Sequence, residues 1–331
     1  MSAPMDSEVE AALAALPPLQ FADPAAQRRA FADWAKQMPA PKPDDRITMT
    51  KLEVPRGEGK GVPVRVFRPR DAPGSLPVVV WIHGGAYVVG SASQDDLLCG
   101  DLAVRTGTVV ASVDYRLAPE DPYPAALDDC YAALCWAAAG GISDSDPARL
   151  AIAGASAGAG LAAAVALRAR DHGGPPIAFQ LLLYPYLDDR RDTPSHRAGR
   201  AAPLFTTTDA EHGWRHYLRG LTNGERIPPY AAPARAVALA GLPPAYVLAA
   251  GMDCLRDEAV NYAMAMARAG VAVELHLVPA VPHGFDAVAP GAAVSQRVIA
   301  EYAAALRHGL GEPDIGSRRP ASAACGADDD I

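Results

Sequence analysis

The sequence of 331 residues predicts an α/β fold with a mostly parallel central sheet that is covered by helices on both faces. Two observations predict it. Short apolar runs of the kind found in buried strands alternate with helical stretches, and this alternation is typical of parallel sheets. In addition, a serine flanked by glycines stands where one of these strands meets the next helix. The apolar runs are residues 78–82, 109–113, 150–153, 179–183, 246–249 and 273–278.

Helices are indicated by apolar residues at helical spacing. Two amphipathic helices are predicted near the N-terminus, at residues 7–16 and 24–38. Asp23 and Pro24 supply an N-cap and a first-turn proline for the second of them. The helices that separate the strands are predicted at residues 93–106, 125–139, 157–171, 257–269 and 292–309.

Two further segments differ from this alternation. Residues 46–55 and 62–69 alternate polar and apolar side chains, which predicts an antiparallel pair of strands. The interval 187–241 is rich in Arg, Pro and Thr and contains one plausible helix, at 209–219. Because an unstructured loop of that length is uncommon in a compact domain, we expect an inserted lid. The predicted organisation is N-terminal helices at 1–45, an α/β domain at 46–186 and 242–312, an insertion at 187–241 and a polar tail at 313–331.

Composition argues against several classes of partner. Half of the residues are hydrophobic, 21% are charged and the net charge is −8, so nothing favours nucleic acid or an anionic membrane. The acidic N-terminal segment lacks the basic region of a secretory signal, and no apolar run reaches the roughly 20 residues of a membrane span. The five cysteines include no CxxC pair, which favours reduced thiols. We therefore expect a soluble, cytoplasmic protein.

The glycine-flanked serine is Ser156, between Gly154 and Gly158. A strand-to-helix turn of this kind, the nucleophile elbow, points the serine hydroxyl out of the turn. Glycines two residues on either side allow neighbouring segments to approach without a Cβ clash. The N-terminus of the following helix adds unpaired N–H groups and partial positive charge. Ser156 is therefore predicted to be a nucleophile that attacks a carbonyl.

Such a serine needs a base, and the base needs an acid to orient it. His283 lies in a loop just after the last predicted strand, and Asp253 directly follows the strand before it. The chain order Ser156, Asp253, His283 is the order expected for an α/β-hydrolase. Asp257 is the rival acid, but we expect it to cap a helix that begins near Glu258.

The segment from His83 to Tyr87 follows the first apolar strand and contains two consecutive glycines. Their backbone N–H groups are uncovered, as an oxyanion hole requires. We predict that the amides of Gly84, Gly85 and Ala157 form this hole. The role expected of His83 is structural, with hydrogen bonds that hold the glycine loop.

The chain resembles the hormone-sensitive-lipase-like family of α/β-hydrolase carboxylesterases. The resemblance implies hydrolysis of small carboxylic esters, without a cofactor or metal, under a cap built from the N-terminal helices and the insertion. The implied partner is a small-molecule ester, and a homodimer stays an open alternative. Four motif blocks carry the resemblance: His83-Gly84-Gly85; Asp114 to Glu120 with Pro124-Ala125-Ala126; Gly154 to Gly158; and Asp253 to Glu258 with His283-Gly284-Phe285.

Two positions depart from the family pattern. Ala86 stands where the family usually has a third glycine, and Ala155 where it often has Asp or Thr. Neither change removes a catalytic atom, but both affect substrate range. With few large apolar residues in the insertion, we expect a small pocket and a preference for acyl chains of about four to eight carbons. We predict that this pocket is lined by Ala86, Tyr87, Leu204, Phe205 and Trp214. For Phe205 and Trp214, packing within the lid is the alternative role.

Several other patterns carry weaker interpretations. Residues 158–163 fit a dinucleotide fingerprint, but they begin inside a helix and no acid ends the next strand. His212 and His216 have metal-like spacing without a clear third ligand, so a solvated helix is favoured. Asp114 and Arg116 are predicted to form an ion pair that braces the glycine loop.

The same triad leaves alternative activities open. An amidase, a deacetylase or a lactonase would use the same serine chemistry on a different bond. A ligand receptor on this fold would keep the pocket and lose a triad member. The receptor alternative is disfavoured because Ser156, Asp253 and His283 are all present.

Overall fold

The structure is a computed structural model, and it describes residues 4–16, 19, 21–37, 44–56, 60–221 and 226–311. The predicted tail at 313–331 lies outside these ranges. The described residues form an eight-stranded sheet with helices on both faces, which confirms the predicted fold class.

The sheet has the strand order β1-β2-β4-β3-β5-β6-β7-β8. β2 pairs antiparallel with both β1 and β4, and every other pairing is parallel. The predicted antiparallel pair is therefore confirmed at one edge of a parallel sheet. The strands are β1 (Ile47–Val54), β2 (Val62–Pro69), β3 (Leu76–Ile82), β4 (Val109–Val113), β5 (Ser145–Ala155), β6 (Phe179–Leu183), β7 (Ala245–Ala250) and β8 (Val273–Val278).

The helices lie close to their predicted positions, with two short ones, α6 and α9, that the sequence analysis did not predict. Short 3₁₀ turns occur at Ala92–Asp95, Gly199–Ala201 and Pro233–Arg235. The helices are α1 (Ser7–Leu13), α2 (Pro24–Gln37), α3 (Asp96–Thr106), α4 (Ala125–Ala138), α5 (Ala157–Asp171), α6 (Pro194–Ala198), α7 (Thr207–Tyr217), α8 (Arg256–Arg268), α9 (Phe285–Val288) and α10 (Ala293–Gly309).

The core lies on both faces of the sheet because successive side chains of a strand point to opposite faces. Along β3, Val78, Val80 and Ile82 pack with α4, α5 and α8 on one face. Val79 and Trp81 pack with α3 and α10 on the other. All five side chains are fully buried. This double burial explains why the central strands are continuous apolar runs instead of alternating ones.

The parallel pairings bring the predicted site residues to one edge of the sheet. β3 and β5 are neighbours, so the glycine loop after β3 lies beside the serine turn after β5. β7 and β8 are also neighbours, and Asp253 and His283 follow their carboxyl ends. Residues separated by as many as 127 positions in the chain thus come within hydrogen-bond distance.

The insertion contains α6, α7 and two of the 3₁₀ turns among its described residues. α7 begins two residues before the prediction because Thr206 and Asp209 form a capping box. Phe21, just before α2, packs edge-on against Phe205 of the insertion. α1 instead packs against α9, and the Asp6 N–H donates to the Ala280 carbonyl. The division into domain and cap stays a prediction.

Candidate active site

Ser156 occupies the one-residue junction between β5 and α5. Its backbone has φ 56° and ψ −120°, a left-handed conformation that is strained for a residue with a side chain. The turn is held by hydrogen bonds: the Ser156 N–H donates to the Leu183 carbonyl, and the Ser156 carbonyl accepts from Gly160 and Tyr186. The strain is thus maintained by the end of β6 and the first turn of α5. The result is a serine hydroxyl presented at the carboxyl edge of the sheet.

The glycines of the motif are required by close backbone contacts. A Cβ at Gly154 would overlap the backbone of Gly158, and one at Gly158 would overlap the carbonyl oxygen of Ile82. These contacts press the start of α5 against the ends of β3 and β5. A Cβ at Gly84 would lie only 3.3 Å from Ser156 Cβ, so the glycine loop touches the serine.

Three predicted residues form a continuous chain of hydrogen bonds. His283 Nε2 lies 2.8 Å from Ser156 Oγ, and His283 Nδ1 lies 2.6 Å from Asp253 Oδ2. The other Asp253 oxygen accepts from the Leu255 N–H at 2.9 Å. Because a carboxylate only accepts, Nδ1 carries the proton and Nε2 is free to accept from the serine hydroxyl. All three side chains belong to residues that are more than nine-tenths buried.

The rival acid, Asp257, does not contact His283 among the described interactions. Its predicted role as a helix cap is also wrong, because α8 begins at Arg256 and not near Glu258. The Asp257 carboxylate instead accepts from the Ser195 N–H at 2.7 Å and from Arg256 Nε at 2.8 Å. Asp257 therefore joins α8 to α6.

The glycine loop, which lies beside Ser156, is held through the carbonyl of Gly84. The Gly84 carbonyl accepts from His83 Nδ1 at 2.8 Å and from Gln94 Nε2 at 3.3 Å. Because a trans peptide is planar, the Gly85 N–H of the same unit points the opposite way. Gly85 has φ 132°, and a Cβ there would overlap the Val89 carbonyl oxygen. The Ala157 N–H is the first of α5 and has no partner within the helix.

His83 is fully buried and stacks on Tyr115, with ring centroids 4.2 Å apart. Burial lowers its pKa to about 4, so the imidazole is neutral near pH 7. A neutral ring that donates from Nδ1 holds the Gly84 carbonyl in place. This arrangement is consistent with the structural role expected for His83.

The ion pair predicted between Asp114 and Arg116 is wrong. Arg116 instead binds Asp129 on α4 through Nε and Nη2, both at 2.8 Å. Asp114 accepts from the Ala92 N–H at 2.9 Å. The error has a simple cause, since the partner of Arg116 lies 13 residues away on another element.

The residues predicted to line the pocket lie around the histidine and the glycine loop. The Phe205 ring centroid is 5.0 Å from that of His283. Trp214 packs against Tyr87, whose hydroxyl donates to the Tyr186 carbonyl. Ala86 is buried with φ 51°, and Leu204, next to Phe205 in the chain, is half-buried.

Sequence reasoning missed Tyr184 and Asp286. Tyr184 packs edge-on against the His283 ring with centroids 5.0 Å apart, and its hydroxyl donates to Asp286 Oδ1 at 2.8 Å. Burial raises the pKa of the Asp286 carboxyl. Asp286 follows His283 by three residues, and that spacing is the one sequence signal for it. Nothing local in the sequence links Tyr184 to this loop.

The described residues hold no metal-like arrangement. No group of three or more His, Cys, Asp or Glu side chains within the described ranges could bind a metal ion. His212 and His216 both lie on α7, where His216 donates to the Ala22 carbonyl.

Among the described helices, none has the length and hydropathy that a membrane crossing demands.

Comparison with known proteins agrees with this geometry. A family model for the alpha/beta hydrolase fold matches residues 79–287, so the chain belongs to the α/β-hydrolase family, in the hormone-sensitive-lipase-like group that its motifs indicated. It is 41% identical over 246 residues to the esterase LipI of Mycobacterium tuberculosis, covering 73% of this chain and 76% of that protein. It is 33% identical over 267 residues to an ethyl acetate hydrolase of Pseudomonas putida, covering 78% and 81%.

A solved structure extends the similarity to the whole fold. The bacterial heroin esterase superposes with a TM-score of 0.88 at 40% sequence identity, covering 92% of this chain and 98% of that one. The share of the chain covered by this superposition is therefore larger than the range that the family model matches.

Proposed function

We propose that this protein is a serine carboxylesterase that hydrolyses small carboxylic esters through an acyl-enzyme intermediate. The observation that carries the proposal is the hydrogen-bonded chain from Ser156 through His283 to Asp253. The names of the similar proteins support an ester as substrate over an amide or a lactone. A non-catalytic receptor would not need this chain of hydrogen bonds.

In the first half of the reaction, Ser156 Oγ attacks the ester carbonyl carbon while His283 Nε2 takes the hydroxyl proton. Asp253 holds the imidazole in the required tautomer and stabilises the imidazolium that forms. The amides of Gly84, Gly85 and Ala157 donate to the oxyanion; each such donor contributes about 10²–10³ in kcat. The imidazolium then protonates the departing alcohol.

The second half of the reaction releases the acid. His283 removes a proton from a water molecule, and the resulting hydroxide attacks the acyl carbonyl. The same amides stabilise the second oxyanion. When the tetrahedral intermediate collapses, the proton returns from His283 to Ser156 Oγ and the free enzyme is restored.

Ser156→Ala tests the nucleophile. We expect kcat on p-nitrophenyl butyrate to fall by about 10⁴–10⁶, with an unchanged melting temperature. A fluorophosphonate probe should label the wild type and not the variant. Ser295→Ala, which removes another buried serine hydroxyl, is the matched control and should keep both labelling and activity. Labelling that persists in Ser156→Ala would refute the assignment.

The size of the acyl group tests the pocket. Bulky aromatic side chains lie near the proposed site, with Phe205 beside His283 and Trp214 beside Tyr87, and an ethyl acetate hydrolase is among the relatives. We expect kcat/KM on p-nitrophenyl esters to peak at about four to eight acyl carbons, because each further methylene contributes about 0.8 kcal/mol only where an apolar wall receives it. Faster turnover of anilides or lactones would favour the alternative activities, and activation at a lipid interface would favour a lipase.

A further inference from the structure

The His283 imidazole lies in a loop between β8 and α9, and both of its ring nitrogens are engaged. Nδ1 lies 2.6 Å from Asp253 Oδ2, and Nε2 lies 2.8 Å from Ser156 Oγ. Rotation of the ring about the line that joins these two partners is only weakly restrained, because hydrogen bonds tolerate a broad range of angles. Other contacts must therefore hold the ring in the orientation that proton transfer requires.

Tyr184 supplies one of these contacts from the end of β6. Its ring packs edge-on against that of His283, with centroids 5.0 Å apart and ring planes at 67°. Tyr184 is 3% exposed and belongs to the core on one face of the sheet, so its ring is itself held in place. Phe205 of the insertion contacts the same imidazole, also at a centroid distance of 5.0 Å. The orientation of His283 thus depends on two aromatic rings as well as on its hydrogen bonds.

The segment 183–186, which contains Tyr184, also holds the nucleophile. The Ser156 N–H donates to the Leu183 carbonyl at 2.9 Å, and the Tyr186 N–H donates to the Ser156 carbonyl at 3.1 Å. Between these two residues, Tyr184 has φ 36°, a left-handed backbone conformation that is strained for a residue with a side chain and typical of functional sites. One short segment therefore holds the backbone of the nucleophile and touches the side chain of its base.

The Tyr184 side chain is anchored at its far end to the loop that carries His283. Its hydroxyl donates to Asp286 Oδ1 at 2.8 Å, and Asp286 is buried and follows His283 by three residues. A carboxyl oxygen accepts such a hydrogen bond whether the group is ionised or protonated, so the contact does not depend on the charge of Asp286. We propose that Tyr184, anchored in this way, is a positioning residue that fixes the approach of His283 Nε2 to Ser156 Oγ. The inference rests on the proposed esterase function.

Substitutions at position 184 separate the ring from its anchor. Tyr184→Phe keeps the ring and removes the anchor, so kcat on p-nitrophenyl butyrate should fall about tenfold. Tyr184→Leu removes both, and a fall of about 10² is expected, because a misplacement of about 1 Å can cost that much. KM should change by less than about threefold in both variants, since Tyr184 acts through His283 and not on the substrate. Tyr262→Phe, which removes another buried tyrosine hydroxyl, is the matched control and should keep the wild-type kcat.

A double-mutant cycle tests whether Tyr184 and Asp286 act as one unit. Asp286→Ala removes the acceptor and should also lower kcat about tenfold, but combining it with Tyr184→Phe should cost less than about a further twofold. Independent effects would instead multiply to about 10² and would contradict the anchor. Melting temperatures show which variants are folded at the assay temperature. If Asp286→Ala does not fold, the kcat of Tyr184→Phe decides.

The rate of labelling by a fluorophosphonate probe separates this inference from the proposed function. Labelling needs only a serine that its histidine activates, so its rate should fall in the same order as kcat. A purely structural role would lower the melting temperature and leave both rates of the folded protein unchanged. Unchanged rates in folded Tyr184→Phe, or a change in KM alone, would therefore overturn the inference while the wild type stays an active esterase. A wild type that neither labels nor hydrolyses esters would refute the proposed function itself, and this inference with it.

Discussion

Two clusters of buried polar side chains include a residue near the beginning of α8, Asp253 in one and Glu258 in the other. They differ in how their polar atoms are paired. Ser156, His283 and Asp253 form an unbroken chain of hydrogen bonds. In the second cluster, Glu258 Oε2 and the Tyr262 hydroxyl have no partner among the described residues. All five residues are more than nine-tenths buried.

The difference teaches that burial of polar groups does not by itself identify what they do. A buried polar atom without a partner costs about 1–3 kcal/mol, so each cluster must satisfy its atoms in some way. In the first cluster the atoms satisfy one another, as the proposed proton transfer requires. In the second, two buried atoms stay unpaired among the described residues.

Among variants that leave the nucleophile in place, the largest effect should come from the orienting acid of the paired cluster. Asp253→Asn replaces an acceptor of the Nδ1 proton with an amide that favours the wrong tautomer, so kcat should fall about 10⁴-fold. Asp257→Asn is the matched variant, and its kcat should stay within about tenfold of wild type, since the Asp257 carboxylate accepts from Ser195 and Arg256 and not from His283 among the described residues. Steady-state kinetics on one ester decides between them. The reverse ranking would show that Asp257 is the acid.

His83 is intermediate between the clusters, because its Nδ1 is paired and its Nε2 has no partner among the described residues. Burial lowers its pKa to about 4 in the fold, from the ordinary histidine value of 6.5. The unfolded chain therefore takes up the proton first, and the wild type should lose about 3 kcal/mol of stability from this residue as the pH falls from 6.5 to 4.

His83→Asn keeps a donor for the Gly84 carbonyl and removes the titration. Urea denaturation measures the free energy of unfolding of the wild type and of His83→Asn at pH 7.5 and at pH 4.5. The variant should show the smaller loss of stability on acidification. Parallel losses in the two proteins would mean that His83 does not titrate in this way.

The smallest effects should come from removing two tyrosine hydroxyls, one that is paired and belongs to a ring packed against His283, and one in the unpaired cluster. Tyr184→Phe deletes a donor to buried Asp286, so it should destabilise the fold by about 1–2 kcal/mol and slow turnover through the His283 loop. Tyr262→Phe deletes a hydroxyl without a partner and should change stability by less than about 0.5 kcal/mol. Thermal unfolding measures both. Equal losses would remove the distinction between paired and unpaired clusters.

The arrangement of strands and the candidate triad could be predicted from sequence for one physical reason. Strands buried on both faces must be apolar, so β3, β4 and β6 stand out as continuous runs. Ser156 and Asp253 follow strands with buried apolar runs, β5 and β7, and His283 follows the half-exposed edge strand β8. The ends of neighbouring parallel strands meet at one edge. Local patterns therefore sufficed to place residues that lie far apart in the chain.

The errors concern partners that only tertiary packing determines. The sequence predicts a neighbour, Asp114, as the partner of Arg116, whereas its partner Asp129 reaches it from α4. Asp257 was expected to cap a helix, but α8 starts at Arg256 and its carboxylate is taken by Ser195. Tyr184 could not be found because its contact with His283 depends on how β6 and the α9 loop pack.

The contact between α7 and the glycine loop has a consequence for how this enzyme class evolves. A Cβ at Gly213 would lie 3.0 Å from the Ala86 carbonyl oxygen, 3.1 Å from Ala86 Cβ and 3.3 Å from the Tyr186 hydroxyl. Three segments thus share one small volume, so a larger residue at any of these positions must be matched by a smaller one at another. Substitutions at 86, 186 and 213 should therefore be epistatic and covary among relatives. A mutant library that varies the three codons together should yield altered acyl selectivity more often than libraries that vary each alone.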